Sequence, residues 1–517
     1  MNKELVFYNG KMITVQADCA FAEALAVQNG KITALGSNRK VLAKTNPGAE
    51  IVDLRGKTVV PGFIDSHAHL ISYGLMKLLG VDLSGCTSLA EVLANLQEKA
   101  EATPPGQWIL GYGFDQARLR EKRYPSKAEL DLATRRHPVF VARADGHSAA
   151  LNNLALAALS LPGDLPGLEK DPATGEPTGV LRQEANYRAK EKAAKSYAQP
   201  ENIKKALALA AEEAVQKGIT TVHALVGGEF PGDADVEIAF QEQDRLPVHL
   251  VFYWQTREVE KVAARGWTRV GGCFTVMADG AIGSHTAALY EPYADNPATR
   301  GKLYFSDEEL FAFIAEAHQY GLQIAIHAIG DRAIGQVLDG FARALRENPR
   351  PDHRHRIEHF LVPTRKQIQR ATELGIAIAT QPAFEYFWGQ EKLYGPRLGP
   401  ERANRTHPLK SELAAGLLVA GGSDCFVTPL NPLLGIHAAV NHPNPQERID
   451  VLQALELFTI NGARIAFEER TKGSLQVGKL ADLVVLGEDI LACPAGELAQ
   501  IPVTGTVVKG EIVYWVN

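Results

Sequence analysis

The stretch Asp307–His327, DEELFAFIAEAHQYGLQIAIH, decides the fold. Asp307 to Tyr320 reads as a helix, Gly321 as its C-terminal cap, and Leu322 to Ile326 as a short strand that delivers His327 at its end. The same plan recurs three times. Asn202 to Lys217, Gly218 and Ile219 to Val222 lead to His223. Thr364 to Leu374, Gly375 and Ile376 to Thr380 form another unit. Pro408 to Ala415, Gly416 and Leu417 to Ala420 lead to Ser423-Asp424. Helices alternating with apolar strands predict a parallel sheet covered on both faces. Ionisable residues at the strand C-terminal ends favour a (β/α)8 barrel, a TIM barrel, over an open doubly wound sheet, because barrel active sites gather at that rim.

The barrel's entry is Pro61-Gly62-Phe63-Ile64-Asp65-Ser66-His67-Ala68-His69-Leu70. Lys57 to Ile64 reads as one buried strand. Two histidines two apart on such a strand point to one face and can reach one cation. Before it, Leu5 to Tyr8, Lys11 to Val15, Ala24 to Val27 and Lys31 to Leu35 alternate with the turns Asn9-Gly10 and Asn29-Gly30. A similar texture returns in Ala481 to Leu486, Thr504 to Val508 and Glu511 to Val516. The two chain ends, 1–60 and 468–517, are therefore expected to form one small β-sandwich domain around a barrel domain of 61–467. About 71–200 breaks the rhythm, with Thr103-Pro104-Pro105-Gly106 and Leu161-Pro162-Gly163-Asp164-Leu165-Pro166-Gly167, and reads as an insertion folding over the barrel mouth.

Composition narrows the function classes. A 517-residue chain with 45% hydrophobic and 22% charged residues is ordinary for a globular protein with a large core. A net charge of -6 gives no electrostatic reason to approach nucleic acid or an anionic membrane. No apolar run is long enough for a membrane span, and the N-terminus lacks the apolar stretch of a signal peptide, so the expected location is cytoplasmic. Cys19, Cys86, Cys273, Cys425 and Cys493 are scattered and predict packed thiols rather than disulfides, with Cys425 notable for following Asp424.

Four further segments carry candidate chemistry: Ile324 to Asp331 with His327, His355-Arg356-Ile357-Glu358-His359, Val419 to Asp424, and Met277-Ala278-Asp279-Gly280. Together with the Pro61–His69 entry, Pro177-Thr178-Gly179-Val180-Leu181 and Gly473 to Leu483, these make the chain resemble the amidohydrolase superfamily, in its metal-dependent branch typified by N-substituted formamide deformylase. The resemblance runs over nearly the whole length. It implies that His67, His69, His327 and His359 bind a divalent metal from strands one, five and six, and that Asp424 on strand eight is the proton shuttle. The implied cation is zinc, with manganese, iron or cobalt suited to the same donors. It makes hydroxide available at neutral pH and polarises a carbonyl, while the carboxylate takes and returns the proton.

Two-metal members of the superfamily carry a carboxylated bridging lysine shortly before the segment matching Asp279-Gly280. Here Cys273 to Ala278 contains none. The site then holds one ion, or two bridged by another anion, for which Glu184 is the leading candidate and a Cys273 thiolate the other. His147 is a candidate oxyanion stabiliser. His223, Asp279 and His285 are candidate substrate or supporting contacts, and Trp108, Tyr112 and Phe114 a candidate aromatic lining. Asp331 is expected to orient His327 or cap the next helix. The expected activity is hydrolysis of a C–N bond in a small amide, formamide, cyclic amide or carbamate. A deaminase is disfavoured by Gly330, three residues after His327, where many one-metal deaminases place a glutamate. A non-catalytic ligand-binding role is the remaining alternative, and a homodimer the expected assembly.

Overall fold

The computed structural model describes residues 4–16, 21–116, 118–143, 148–228 and 233–516. Eight parallel strands follow one another around a barrel: β1 Phe63–Ala68, β2 Ile219–Val226, β3 His249–Trp254, β4 Arg269–Met277, β5 Gln323–Ala328, β6 Arg356–His359, β7 Ala377–Thr380 and β8 Leu418–Gly421. Each pairs in parallel with the next. β2 also pairs with β1, and a parallel bridge between Ala68 and Cys425 joins the two ends of the sheet. The fold is a TIM barrel, and the strands are mostly buried on both faces.

The helices that feed these strands end where the sequence predicts. Pro200–Gln216, Asp307–Gln319, Arg365–Glu373 and Leu409–Ala414 precede β2, β5, β7 and β8. In the helix Asp307–Gln319, Ser306 accepts from the Glu309 amide and Glu309 answers to the Ser306 amide, so two orphan donors are satisfied at the start.

The run expected as one strand, Lys57 to Ile64, is divided. Thr58–Pro61 pairs with Lys11–Ile13 on one side and, antiparallel, with Leu483–Leu486 on the other. After Gly62, whose amide donates to the Asp482 carbonyl, Phe63 donates to the Gly218 carbonyl and the chain enters the barrel. Hydrophobicity could not reveal the break, because both halves are buried.

Thr58–Pro61 belongs to a six-stranded sheet ordered Glu511–Trp515, Val503–Val508, Leu483–Leu486, Thr58–Pro61, Lys11–Ile13, Phe21–Ala22. A four-stranded sheet of Lys31–Gly36, Ala24–Gln28, Leu5–Tyr8 and Glu50–Asp53 accompanies it. Phe7, Leu25, Leu475, Leu483 and Val507 share one core, which contains residues from both chain ends.

Residues 71–210 and 229–242 cluster as a second compact unit, with a six-stranded mixed sheet running from Leu168–Lys170 to Gly80–Asp82. Its cores include Leu96, Ile109 and Phe114 in one cluster and Trp108, Leu151 and Leu181 in another. Trp108 and Phe114, expected to line a pocket, are core residues of this unit. Among the described residues no helix is long and apolar enough to cross a membrane.

One buried acid makes stability depend on pH. Glu412, in the helix before β8, is pushed up to about 8 by burial, with the nearby Glu447 adding to the shift. An unfolded chain releases this proton near the ordinary glutamate value, so between there and about pH 8 the folded state binds more protons and stability falls as pH rises. Glu412→Gln removes that loss. Its stability gain over the wild type should grow from little near pH 5 to on the order of 1–4 kcal/mol near pH 8. Urea unfolding across this range checks it, and parallel profiles for the two proteins would refute it.

Candidate metal centre

At the C-terminal ends of the barrel strands, His67, His69, Cys273, His327, His359 and Asp424 come together, all buried. Three sets of ligand atoms lie within 4.8 Å of one another: His67, His69 and Cys273; Cys273, His327 and His359; and His67, His359 and Asp424. The Cys273 sulfur stands 3.6 Å from each of His67 Nε2, His327 Nδ1 and His359 Nε2. Asp424 Oδ1 is 3.3 Å from His67 Nε2 and 3.4 Å from His69 Nε2. That oxygen is buried and makes no hydrogen bond of acceptable geometry.

Most of the imidazoles have one nitrogen committed outside the cluster. His67 Nδ1 bonds Glu358 Oε2 in a short contact, leaving Nε2 for the cluster. His359 Nδ1 pairs with Gln381 Oε1 at 2.6 Å. His327 turns the other way, with Nε2 3.3 Å from the Gly280 carbonyl and Nδ1 toward Cys273. Such outer partners fix tautomer and ring orientation in metal sites. Burial opposes a charged His67, yet Cys273, Asp424 and Glu358 outweigh it and hold its pKa well above the usual value. Burial would likewise raise Asp424, but His67 and His69 keep it well below the ordinary carboxylate range. The surroundings favour positive charge at this point, and the donors are imidazole, sulfur and carboxylate, which fit a divalent transition metal.

Backbone irregularities put these side chains in place. Adjacent strand residues face opposite ways. Glu358 and His359 nevertheless both reach His67, the two imidazole centroids being 5.0 Å apart, because His359 takes φ +71. In β4 the register jumps: Gly272 pairs with Ile326 and Met277 with His327, so Cys273 to Val276 bulge between consecutive partners. Gly271 has φ +95, and a Cβ there would come within 2.0 Å of the Ala325 carbonyl oxygen. Gln255 pins the bulge, accepting from the Cys273 amide at 2.9 Å through Oε1 and from Thr275 Oγ1 at 2.7 Å through its carbonyl.

The β1 and β8 ends are tied together. Asp65 Oδ1 accepts from the Ser423 amide at 2.9 Å and the His67 amide at 3.2 Å, and burial pushes its pKa up to about 6. Asp424 and His69 donate their amides to the His67 and Cys425 carbonyls, both at 2.8 Å. Cys425 thereby serves through its backbone, its thiol buried and pushed upward by that burial.

Other expected site residues have different surroundings. Glu184 is exposed on the helix Gln183–Tyr197 and belongs to none of the three ligand sets, whereas Cys273, the other expected bridge candidate, belongs to two. Asp279 is fully buried. Its two oxygens accept from the amides of Ile329, Gly330 and Ala288 at 2.8–2.9 Å, clamping the β5 exit, and burial pushes it up to about 7 despite those bonds. Asp331 neither orients His327 nor caps the helix. It is the first residue of Asp331–Glu347 and accepts from the Tyr290 amide, while Gly330 occupies the cap.

His223 is buried and receives a hydrogen bond from Arg356 Nη1 at 3.1 Å, its own pKa depressed by burial and by that guanidinium. His285 sits in a partly exposed cluster, 3.0 Å from both Asp295 Oδ1 and Arg397 Nη1. Tyr112 is half-buried in the second unit, and His147 lies outside the described residues.

Sequence reasoning assigned no role to Arg356, Glu358, Gln381, Asp65 or Gln255. The first two carry a readable signal: charged residues two apart on a strand that must be buried need each other and a polar partner. Arg356 and Glu358 are both fully buried, joined through Arg356 Nη2 to Glu358 Oε2 at 2.9 Å and a shorter Nε contact, and the guanidinium lies 3.9 Å over the Tyr253 ring.

A sequence model of the amidohydrolase family matches residues 50–514. The Bacillus subtilis protein YtcJ, provisionally named an amidohydrolase, is 31% identical, covering 98% of this chain and 99% of its own length. N-substituted formamide deformylase of Arthrobacter pascens is 29% identical over 99% of this chain and 98% of its own. Among solved structures, an uncharacterized metal-dependent hydrolase from Pyrococcus furiosus superposes with a TM-score of 0.79 at 29% identity, covering 94% of this chain and all of the other.

Proposed function

Given that the chain belongs to the amidohydrolase family, as a metal-dependent hydrolase of carbon–nitrogen bonds other than peptide bonds, we propose that it cleaves a small amide, with N-substituted formamides as the first class to test and cyclic amides or carbamates next. The observation that carries the mechanism is Asp424 Oδ1, buried and without a hydrogen bond beside His67 and His69. His67, His69, His327 and His359 would hold the ion, which we take to be zinc, manganese, iron or cobalt. When bound, such a cation supplies hydroxide from water near neutral pH and polarises the scissile carbonyl.

The chain's own residues do the rest. Asp424, held ionised by its imidazole neighbours, accepts the proton of the attacking water on its carboxylate. The same carboxylate then returns the proton to the leaving nitrogen, so that the tetrahedral intermediate collapses forward. Glu358 and Gln381 hold His67 and His359 in the orientation that turns Nε2 inward. Gly330 argues against a deaminase acid at that position, since any side chain there would meet the Ala288 carbonyl oxygen at 2.0 Å.

Release of amine from a panel of N-substituted formamides, before and after chelation, tests the reading. Chelated protein should lose the activity, and addition of one of the four metals should restore it. Hydrolysis that survives complete metal removal, or no hydrolysis of any amide by metal-replete protein, would sink the proposal.

A further inference from the structure

We infer that Cys273, as a thiolate, is a single-atom bridge between two metal ions, one held with His67, His69 and Asp424 and the other with His327 and His359. The inference rests on the metal-dependent reading above and deepens it, since nothing in that reading requires a second ion or a sulfur ligand.

Distance is the first support. Ligand bonds of 2.3 Å to sulfur and about 2.0 Å to imidazole nitrogen, at a tetrahedral angle, separate the two donors by about 3.5 Å. The Cys273 sulfur lies 3.6 Å from His67 Nε2, His327 Nδ1 and His359 Nε2 alike. Packing alone gives no reason for three equal separations to inward-turned nitrogens.

Membership is the second. Among the described residues, no ligand set unites His327 with His67 or His69; Cys273 joins His67 and His69 in one set and His327 and His359 in another, and His359 also joins His67 and Asp424 in the third. Two ions with a shared sulfur serve the two sets that contain Cys273. The third support is independent of the cysteine. Asp424 is only 5% exposed, and its Oδ1 lies against His67 and His69 with no hydrogen-bond partner. A buried carboxylate oxygen in that condition calls for a cation.

The backbone also treats Cys273 as a placed residue. The β4 bulge begins at it, left-handed backbone at Gly271 and Phe274 brackets it, and Gln255 fixes its amide. Sulfur binds as thiolate, so coordination releases the thiol proton to solvent and leaves a monoanion between the ions. No lysine occurs between Arg269 and Met277, so loading should not depend on bicarbonate.

The test uses cobalt(II) added to metal-free full-length protein without substrate. The wild type should take up two ions per chain, develop a sulfur-to-cobalt charge-transfer band in the near ultraviolet, and show magnetic coupling between the ions by paramagnetic resonance. Cys273→Ser should lose the band and at least half of the bound cobalt, whereas Cys425→Ser should keep both. Alkylation of Cys273 by iodoacetamide, read by mass spectrometry, should be suppressed by metal in the wild type, a measurement that needs no variant to fold.

One ion per chain, two uncoupled ions, or a band that persists in Cys273→Ser would overturn the bridge. The hydrolase reading fails separately. A coupled two-ion protein that cleaves no amide refutes the proposed substrate class and leaves the bridge standing, and amide hydrolysis by a Cys273→Ser protein that still holds two coupled ions does the reverse.

Discussion

Asp424→Asn should lower kcat for amide hydrolysis by on the order of 10²–10⁴, the range a positioned proton-transfer group contributes, with a much smaller change in KM. Asparagine keeps the shape and one oxygen beside His67 and His69 but cannot carry the proton from water to leaving nitrogen. His67 and His69 hold the Asp424 carboxyl well below the ordinary carboxylate range, which favours its ionised form. The comparison should be made at saturating substrate on metal-replete protein, with bound metal measured for both. A variant that retains more than roughly a tenth of wild-type kcat would fall outside that range and remove Asp424 from proton transfer. Lost activity that tracks lost metal would make the residue a ligand only.

Arg356→Ala should be the most destabilising of the substitutions considered. Arg356 and Glu358 have no exposure, and removing the guanidinium leaves Glu358 as a buried charge facing His67. Breaking such a pair from one side costs about 3–5 kcal/mol. It should also lower metal affinity about 10–100-fold, because Glu358 is what directs His67 Nε2 inward. Urea unfolding and metal titration report the two effects separately.

The double variant Arg356→Met with Glu358→Gln should recover much of the stability and little of the metal affinity. The glutamine has no buried charge to abandon, but it is also a weaker partner for the imidazole. Equal stability of Arg356→Ala and wild type would show that the pair is not what holds β5, β6 and the Tyr253 face of the barrel in place.

The recurring helix, glycine and strand units were readable because a single physical event repeats in them: a helix closes and a buried strand begins. The glycines after each helix, Gly218, Gly321, Gly375 and Gly416, all take positive φ. His67, His327, His359 and Asp424 could be placed on one rim by the same logic, since each lies at or just past the C-terminal end of its strand. Cys273 resisted it. Its position depends on a four-residue register jump that leaves no mark on hydrophobicity, and its neighbours in space come from β1, β5 and β6.

Glu184 and Trp108 show the opposite error, in which residue type was taken as a sign of chemistry when exposure and core packing account for them. Asp279, read as a substrate or supporting contact, clamps the β5 exit, and Asp331, read as orienting His327 or capping the next helix, accepts from the Tyr290 amide. The fully buried member makes the clamp, and nothing in the sequence says which carboxylate is buried.

The division of the Lys57–Ile64 run has a consequence for how the chain comes off the ribosome. Thr58–Pro61, directly before the first histidine pair, is a central strand whose neighbour Leu483–Leu486 is synthesised long after it. The opposite side of that pair waits for Ser423 and Cys425, which fasten Asp65, Ala68 and His69. A nascent chain can therefore display His67 and His69 long before it can enclose them. The candidate ligand set is complete only once Asp424 has been made, after all eight barrel strands, so the full set can enclose a cation only after those strands have been synthesised.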